Sequence, residues 1–279
     1  MTPASAMSSC LKLALLATTL AAPWRCALAD PWVPAAGDGE VKPMIHLFEG
    51  NRAFPAGGFT SATVPASRQT STQYRLTGVQ GIGGGFSIEY DLRGARLRDL
   101  ANVHHVPTPR VSSGLEDEEI GLNYGLMQRP AFADSITFNV LIPAGRSKAV
   151  PALGTGRWAA EPDFQAGLAG GWGYVTLLAG PRVFLDGNAT QLRATLDLSV
   201  RVTHRISVIG ELFAVKTLKQ GAVIAPGAQG ELYNLIRPAV GVSLQVTPRL
   251  RPFLLYEVNV AGEGLHAGSQ VELGIALHY

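Results

Sequence analysis

Strict alternation of apolar and polar residues runs along much of this chain and is clearest over residues 191–202. Every even position in this stretch is apolar and every odd position is polar or charged. Period-2 alternation predicts a β-strand with one apolar and one polar face. The stretch is longer than the five or six residues of an average strand and fits the roughly 9–11 residues that a tilted strand needs to cross a bilayer. It therefore predicts a membrane-spanning strand.

The same alternation recurs along the rest of the chain and predicts an all-β protein of about twelve strands. An even number of strands suits a barrel whose two ends lie on the same side of a membrane. The regular stretches are 86–93, 119–126, 135–142, 254–260 and 271–279, and the less regular ones are 41–48, 73–80, 164–172, 174–184, 207–215 and 233–246.

The predicted connections between these strands fall into two classes. Tight turns alternate with long segments rich in Gly, Pro and Ser, which is typical of barrels in the outer membrane. We therefore expect a closed antiparallel transmembrane β-barrel with short turns at one end and long loops at the other. The predicted turns are 80–83, 129–134, 203–205 and 247–249, and the predicted loops are 51–70, 94–118, 143–163, 216–231 and 261–269.

Residues 1–29 have the pattern of a cleaved secretory signal peptide. Lys12 supplies a positive start, an apolar run follows over 13–22, and the small-x-small sequence 27–29 comes just before Asp30. The apolar run is too short for a membrane-spanning helix, which takes roughly 20 residues. The sequence therefore predicts cleavage near Ala29 and a mature barrel over 30–279.

Cleavage would change the composition of the chain. Both cysteines, Cys10 and Cys26, would be lost, which leaves no thiol and no disulfide. The full chain has 23 Lys and Arg residues against 21 Asp and Glu residues, and loss of Lys12 and Arg25 would leave 21 of each. A neutral chain has no overall field to attract nucleic acid, so we expect no nucleic-acid partner.

The charged residues of stretch 191–202 indicate which face meets the lipid. Arg193, Asp197 and Arg201 share one face, and a basic residue facing lipid at mid-membrane costs about 2–4 kcal/mol. That face is therefore predicted to point into the lumen, where the charges form either an ion-paired plug or the wall of an open channel. The predicted lumen-lining residues are Arg75, Glu89, Asp91, Arg93, Glu119, Arg193, Asp197, Arg201, Glu211, Glu257 and Glu272.

The C-terminal stretch has an additional feature. It ends on an aromatic residue preceded by apolar residues at every second position, like the terminal signal that the outer-membrane assembly machinery recognises as an added strand. The expected partners are therefore this machinery, outer-membrane lipid and a small-molecule solute. The predicted signal comprises Val271, Leu273, Ile275, Leu277 and Tyr279.

Several motifs resemble an outer-membrane family named for the meta-pathway of phenol degradation. Residues 114–124 are similar to its G-L-G-D-x-x-x-G-L-x-Y stretch, 141–145 to its L-P-T-G strand end and 153–158 to its L-G-T-G-x-W loop. The turns 247–250 and 203–206 are similar to its recurring periplasmic turn.

This resemblance covers most of the mature chain, with Ala144 in the place of the usual Thr. It implies a barrel of about twelve strands that moves small, aromatic or apolar, molecules across the outer membrane. The family supplies no catalytic residues to carry over.

Other residues raise the question of catalysis, metal binding or phosphate binding. Asp197 and Glu211 could face one another across a hairpin, but nearby arginines explain them as structural. His104 and His105 are adjacent, so in an extended chain they point in opposite directions and fit an exposed loop better than a metal site. The glycines of 81–85 lead into a strand, which favours a turn over a phosphate-binding loop. We expect no metal and no cofactor.

The leading functional hypothesis is a passive outer-membrane channel or transporter and not an enzyme. One alternative is a lipid-modifying enzyme, which needs a Ser and a His held together at the outer leaflet. The nearest such pair, His204 and Ser207, lies at a predicted periplasmic turn. A second alternative is a structural or adhesive barrel, which the modest loops disfavour.

Overall fold

A computed structural model of the protein describes residues 31–103, 106–185, 189–219 and 233–279. The predicted signal peptide and the pair His104–His105 lie outside these residues. Within the described ranges, no helix is long and apolar enough to cross a membrane.

The described residues form fourteen strand segments in one antiparallel sheet. They are β1 (Gly39–Ala53), β2 (Val64–Gly83), β3 (Phe86–Val103), β4 (Val106–Leu115), β5 (Glu118–Gln128), β6 (Phe132–Ile142), β7 (Ala159–Gly170), β8 (Gly173–Phe184), β9 (Thr190–Arg201), β10 (Ile206–Lys219), β11 (Asn234–Leu244), β12 (Leu250–Val258), β13 (Ala261–Glu263) and β14 (His266–His278).

The sheet closes on itself to form a twelve-strand barrel. β1 pairs with β14 from Glu40↔His278 to Ala53↔His266, and β10 pairs with β11, so the first and last strands meet. β4 and β5 lie end to end against β3, and β12 and β13 lie end to end against β11. Each of these two pairs takes the place of a single strand, so the fourteen segments form twelve strands of the barrel. The expectation of a closed antiparallel barrel of about twelve strands is confirmed.

The prediction of a loop over 94–118, the longest of the predicted loops, is wrong. β3 continues to Val103 and returns as β4, so this segment is a hairpin that extends the barrel wall at the loop end. The alternation fails here because the outer face of the extension carries Arg96 and Arg98, whereas the lower part of β3 carries Ile88 and Leu92 on that face. The same kind of extension shortens the predicted loops 51–70, 143–163 and 261–269 to 54–63, 143–158 and 264–265.

Two other predicted connections are also shifted. The loop prediction 216–231 began too early, because β10 runs through Lys219. The predicted turn 80–83 lies later in the chain, between β2 and β3, where Gly83, Gly84 and Gly85 have φ angles of 92°, 63° and 82°. Such positive φ values are readily adopted by glycine, which allows the chain to reverse in two residues.

The two faces of the barrel wall differ in chemistry. On β9, Leu192, Leu196 and Leu198 are exposed on the outside, whereas Gln191 and Ser199 are buried on the inside. β5, β6 and β10 alternate in the same way, with exposed Leu, Ile, Val and Phe side chains on the outer face. A continuous apolar surface of this kind is what a hydrocarbon environment requires of a barrel exterior.

The apolar exterior generates a test of membrane insertion. Leu196 lies at the middle of β9 and is 41% exposed on its outer face. We expect Leu196→Arg to reduce the free energy of unfolding from lipid vesicles by about 2–4 kcal/mol, because the charge would sit at mid-membrane. Urea titration of the barrel in vesicles measures this change.

The matched control is Val202→Arg. Val202 continues the same outer face just beyond β9, at the turn end, where an arginine reaches the interface and costs about 0–1 kcal/mol. Equal costs at the two positions would show that this face does not cross the hydrocarbon.

Candidate functional site

The barrel encloses a cavity of about 720 Å³ that is lined at both ends and along the middle of the wall. Trp32, Asp38 and Tyr279 line it at the end that carries the short turns and the C-terminus. His266 and Thr155 line it at the opposite end, where the loops lie. The cavity therefore extends along the length of the barrel, which makes the lumen the candidate site.

The lumen contains most of the charged residues that the alternation assigned to it. Glu257 and Glu272 are buried on the inner face of β12 and β14, next to the cavity lining, and Arg201 is the last residue of β9, at the turn end. The other eight predicted residues line the cavity directly: Arg75, Glu89, Asp91, Arg93, Glu119, Arg193, Asp197 and Glu211.

One side of the lumen is a ladder of ion pairs that begins on β2 and β3. Arg75 donates through Nε and Nη2 to the two carboxylate oxygens of Asp91, at 2.8 and 2.7 Å. Arg93 donates through Nε to Asp91 Oδ2 at 2.8 Å. Asp91 therefore lies between two guanidinium groups, and charge-assisted contacts of this kind are among the stronger hydrogen bonds.

The ladder continues on β5, β7, β8 and β9. Arg182 bridges the carboxylates of Glu119 and Glu161, and Arg193 Nη1 donates to both oxygens of Glu161 at 2.7 Å. The guanidinium carbons of Arg193 and Arg237 lie 5.4 and 5.1 Å from the centroid of the Phe213 ring. These ion pairs therefore join β2 to β3 and β5 to β7, β8 and β9 on the inner face of the barrel.

Sequence reasoning missed several members of this network, among them Glu161, Asp163 and Arg182. β7 begins at Ala159, inside a segment predicted as loop, so its first inward-facing acids were not assigned to a strand. The signal was present, because Glu161, Asp163 and Gln165 alternate with residues that face outward. Pro162 and the long preceding loop obscured it.

Beside the ladder, the inner faces of β9 and β10 carry two acids that are less fully paired. Asp197 and Glu211 are direct cross-strand neighbours on β9 and β10. Asp197 accepts a 3.4 Å hydrogen bond from Thr176 Oγ1, but among the described residues neither carboxylate has a Lys or Arg nitrogen within ion-pair distance. The lumen thus combines the ion-pair ladder with an acidic arc that begins at these two residues.

Loop 143–158 folds into the barrel and is held there by Asp117. The carboxylate of Asp117 accepts hydrogen bonds from the backbone N–H of Gly145 at 3.3 Å and of Thr155 at 2.6 Å, and from the Thr155 hydroxyl at 2.6 Å. A Cβ on Gly154 would lie 2.3 Å from Asp117 Oδ1, so this close approach requires glycine. The motifs 114–124, 141–145 and 153–158 therefore meet around one carboxylate.

Above the charged middle, the loop end of the lumen has a larger apolar share of its lining and is called the vestibule here. Leu153, at the tip of the inward-folded loop, is 1% exposed and packs with Ala95 and Leu97 on the inner face of β3. Polar residues such as Gln69, Thr155 and His266 also line the vestibule, and its apolar lining comprises Phe48, Leu97, Leu141, Phe184, Leu235 and Leu265.

The segment 31–38, which precedes β1, narrows the lumen at the turn end. Trp32 is buried against the inner face of β7, where a Cβ on Gly167 would lie 2.7 Å from its ring, and its Nε1 donates to the Arg129 carbonyl at 2.9 Å. The segment then runs along β2, where the Gly37 N–H donates to the Gly81 carbonyl at 3.1 Å. It therefore crosses part of the opening between β7 and β2.

The fold is similar to that of outer-membrane barrels. A crystal structure of an outer membrane channel from Pseudomonas putida F1 matches with a TM-score of 0.68 and 16% identity, over 91% of this chain and 100% of that chain. The translocator domain of the autotransporter NalP from Neisseria meningitidis matches with a TM-score of 0.53 and 11% identity, over 99% and 96%. No protein-family model matches the chain, and no curated protein matches it in sequence.

The ion-pair ladder generates a second prediction. Arg182→Met keeps much of the side-chain volume but leaves the buried carboxylate of Glu119 without its nearest cation, since Arg193 Nη1 is 4.0 Å away. Glu161, in contrast, keeps its contact with Arg193. We expect a loss of about 3–5 kcal/mol in the free energy of unfolding, since removing one partner leaves an uncompensated buried charge. Urea unfolding in detergent or vesicles measures it.

Arg68→Met is the matched control. Arg68 pairs with Glu49 at 2.8 Å on the exterior, where both side chains are more than half exposed. Such a pair contributes about 0.2–1 kcal/mol. A similar small loss for both variants would mean that the lumenal ladder is as solvated as the surface.

Proposed function

We propose that this protein is an outer-membrane channel for small molecules. The observation that supports this most is the cavity, which is lined by residues from the turn end to the loop end of a closed barrel. A structural or adhesive barrel has no need of such a cavity. The similarity in fold to an outer membrane channel agrees with this function.

The proposed location follows from the exterior of the barrel. Its apolar outer face suits outer-membrane lipid, and residues 1–29 are proposed to direct secretion and to be cleaved near Ala29. Leu273, Ile275 and Leu277 are exposed on the outer face of β14, which is where a terminal signal for the assembly machinery would need them. Val271 and Tyr279 belong to the same proposed signal.

The proposed solutes are small molecules with an aromatic or apolar part. A solute that entered from the loop end would first meet the vestibule and then the charged middle of the lumen. Membership in the phenol meta-pathway family is part of this proposal. It is supported by the contacts of Asp117, since these bring the three motifs of the resemblance together at one point.

The alternative of a lipid-modifying enzyme has less support from the geometry. His204 is exposed in the turn after β9, whereas Ser207 is buried on β10. The two side chains therefore do not share an environment in which a histidine could activate a serine. Asp197 and Glu211 are adjacent, but we assign them an electrostatic role in the lumen.

If segment 31–38 narrows the channel, the channel should conduct better when a large side chain of that segment is replaced by a small one. We expect the purified protein to give discrete single-channel events in planar bilayers, and Trp32→Ala to increase their conductance, because Trp32 fills lumenal space beside Gly167. Trp172→Ala is the control, since Trp172 lies at the same end of the barrel but is exposed. Silent bilayers together with lipid hydrolysis would instead favour the enzyme.

The acidic arc should make the channel prefer cations. We expect Asp197→Asn combined with Glu211→Gln to lower the cation-to-anion permeability ratio, measured from the reversal potential in a KCl gradient. Glu49→Gln removes a carboxylate from the exterior and should leave the ratio unchanged. No change in the double variant would place the conducting path away from β9 and β10.

A further inference from the structure

The seam at which the barrel closes brings together a histidine and two glutamates. His46 on β1 pairs in register with Glu272 on β14, and Glu257 on β12 pairs with Gln270, two residues before Glu272. All three side chains lie on the inner face of three consecutive strands, so the backbone register places them next to one another.

These groups lie close enough to one another to share a metal ion. One nitrogen of His46 and one carboxylate oxygen from each glutamate lie within 4.8 Å of one another, and His46 Nδ1 is 3.4 Å from Glu272 Oε2. Two ligand atoms that each lie about 2.0–2.2 Å from a tetrahedral metal ion are roughly 3.3–3.6 Å apart. Small side-chain movements would therefore complete the geometry.

The imidazole of His46 also has an unsatisfied atom. His46 is 4% exposed, and its Nε2 is buried with no hydrogen-bond partner. A buried donor or acceptor without a partner costs about 1–3 kcal/mol. A metal ion bound at Nε2 would give this buried nitrogen a partner, while Nδ1 keeps its contacts with Glu272 Oε2 at 3.4 Å and with Gln270 Nε2 at 3.3 Å.

The surroundings of the three groups carry charges of both signs, among them Arg75 and Lys42, which line or border the same part of the lumen. Arg237 Nε lies 2.7 Å from Glu257 Oε2, which leaves the other oxygen of Glu257 free to coordinate. Asp197 and Glu211 lie further along the same acidic arc and form no ion pair with a described residue. Glu272 has no Lys or Arg nitrogen within ion-pair distance among the described residues, so a divalent ion would offset its negative charge.

We propose that His46, Glu257 and Glu272 bind one first-row divalent transition-metal ion such as Zn²⁺. Imidazole nitrogen with carboxylate oxygen suits Zn²⁺ and its neighbours, whereas Ca²⁺ and Mg²⁺ prefer oxygen ligands alone. Lumenal water would fill the fourth position. Because the ligands come from β1, β12 and β14, the bound ion would cross-link the strands at which the barrel closes.

The test uses the full barrel in detergent, stripped with EDTA and dialysed. We expect calorimetric titration to show one equivalent of Zn²⁺, and Co²⁺ to give the intense visible absorption of a four-coordinate site. His46→Gln and Glu272→Gln should each weaken Zn²⁺ binding at least about tenfold. A loss of that size is already typical when a residue that only hydrogen-bonds to a metal ligand is replaced. Zn²⁺ should raise the unfolding midpoint of the wild-type protein and of neither variant.

Asp163→Asn is the control for lumenal charge. Asp163 is also a buried carboxylate on the inner face, on β7, and accepts a hydrogen bond from Asn139 Nδ2 at 2.9 Å. This variant should bind Zn²⁺ as the wild-type protein does. The proposal is wrong if both ligand variants retain wild-type affinity, if Ca²⁺ binds as tightly as Zn²⁺, or if folded barrel binds no Zn²⁺. Channel conductance measured in EDTA tests the proposed function independently of the metal.

Discussion

The hydrogen-bonded seam between β1 and β14 is the contact on which the rest of the architecture depends. Within hydrocarbon there is no water to satisfy backbone N–H and C=O groups, so a sheet that crosses a membrane must leave no open edge. The seam runs almost the full length of both strands, from Glu40↔His278 to Ala53↔His266. It also brings the start of β1 next to the last residue of the described chain, where Gly39 and Tyr279 exchange backbone hydrogen bonds.

Closure has a direct consequence for the interior. Side chains alternate along a strand, so a wall with an apolar exterior sends every second side chain into the lumen. In this protein those side chains include many charged groups, and a buried charge is tolerated when it is paired and hydrogen-bonded. Asp91, Glu119 and Glu161 meet this condition through their arginines. Asp197 and Glu211 do not, so paired and unpaired charges are distributed unevenly around the lumen.

The sequence contained enough information to predict the barrel but not its ion pairs. β9 was predicted nearly to the residue, because its whole length lies in the apolar belt and alternates without interruption. The β3–β4 hairpin was missed because it rises above that belt, where an outer face made of Arg96 and Arg98 has no hydrophobic period. Alternation of apolar and polar residues indicates a strand only where one face of the strand contacts an apolar environment and the other face a polar one.

The partners within the site were harder to predict than its members. Alternation assigned Glu119 to the lumen, but its contact with Arg182 joins residues that are 63 positions apart and depends on the register of four strands. Asp117 stood in a recognised motif, yet its hydrogen bonds to Gly145 and Thr155 require a loop to fold inward, and no local pattern encodes that. The residue type and the alternation along a strand show which residues face the lumen, whereas the register between strands decides which of them are in contact.

The structure also separates the groups that support the barrel from those that narrow it. The wall is held by strand pairing and by the lumenal ladder. The two elements that enter the lumen, segment 31–38 and loop 143–158, are held by hydrogen bonds of their own, through Trp32 and Gly37 at one end and through Asp117 at the other. Neither element contributes a strand to the barrel wall, so the contacts that narrow the lumen are separate from the strand pairs that close the barrel.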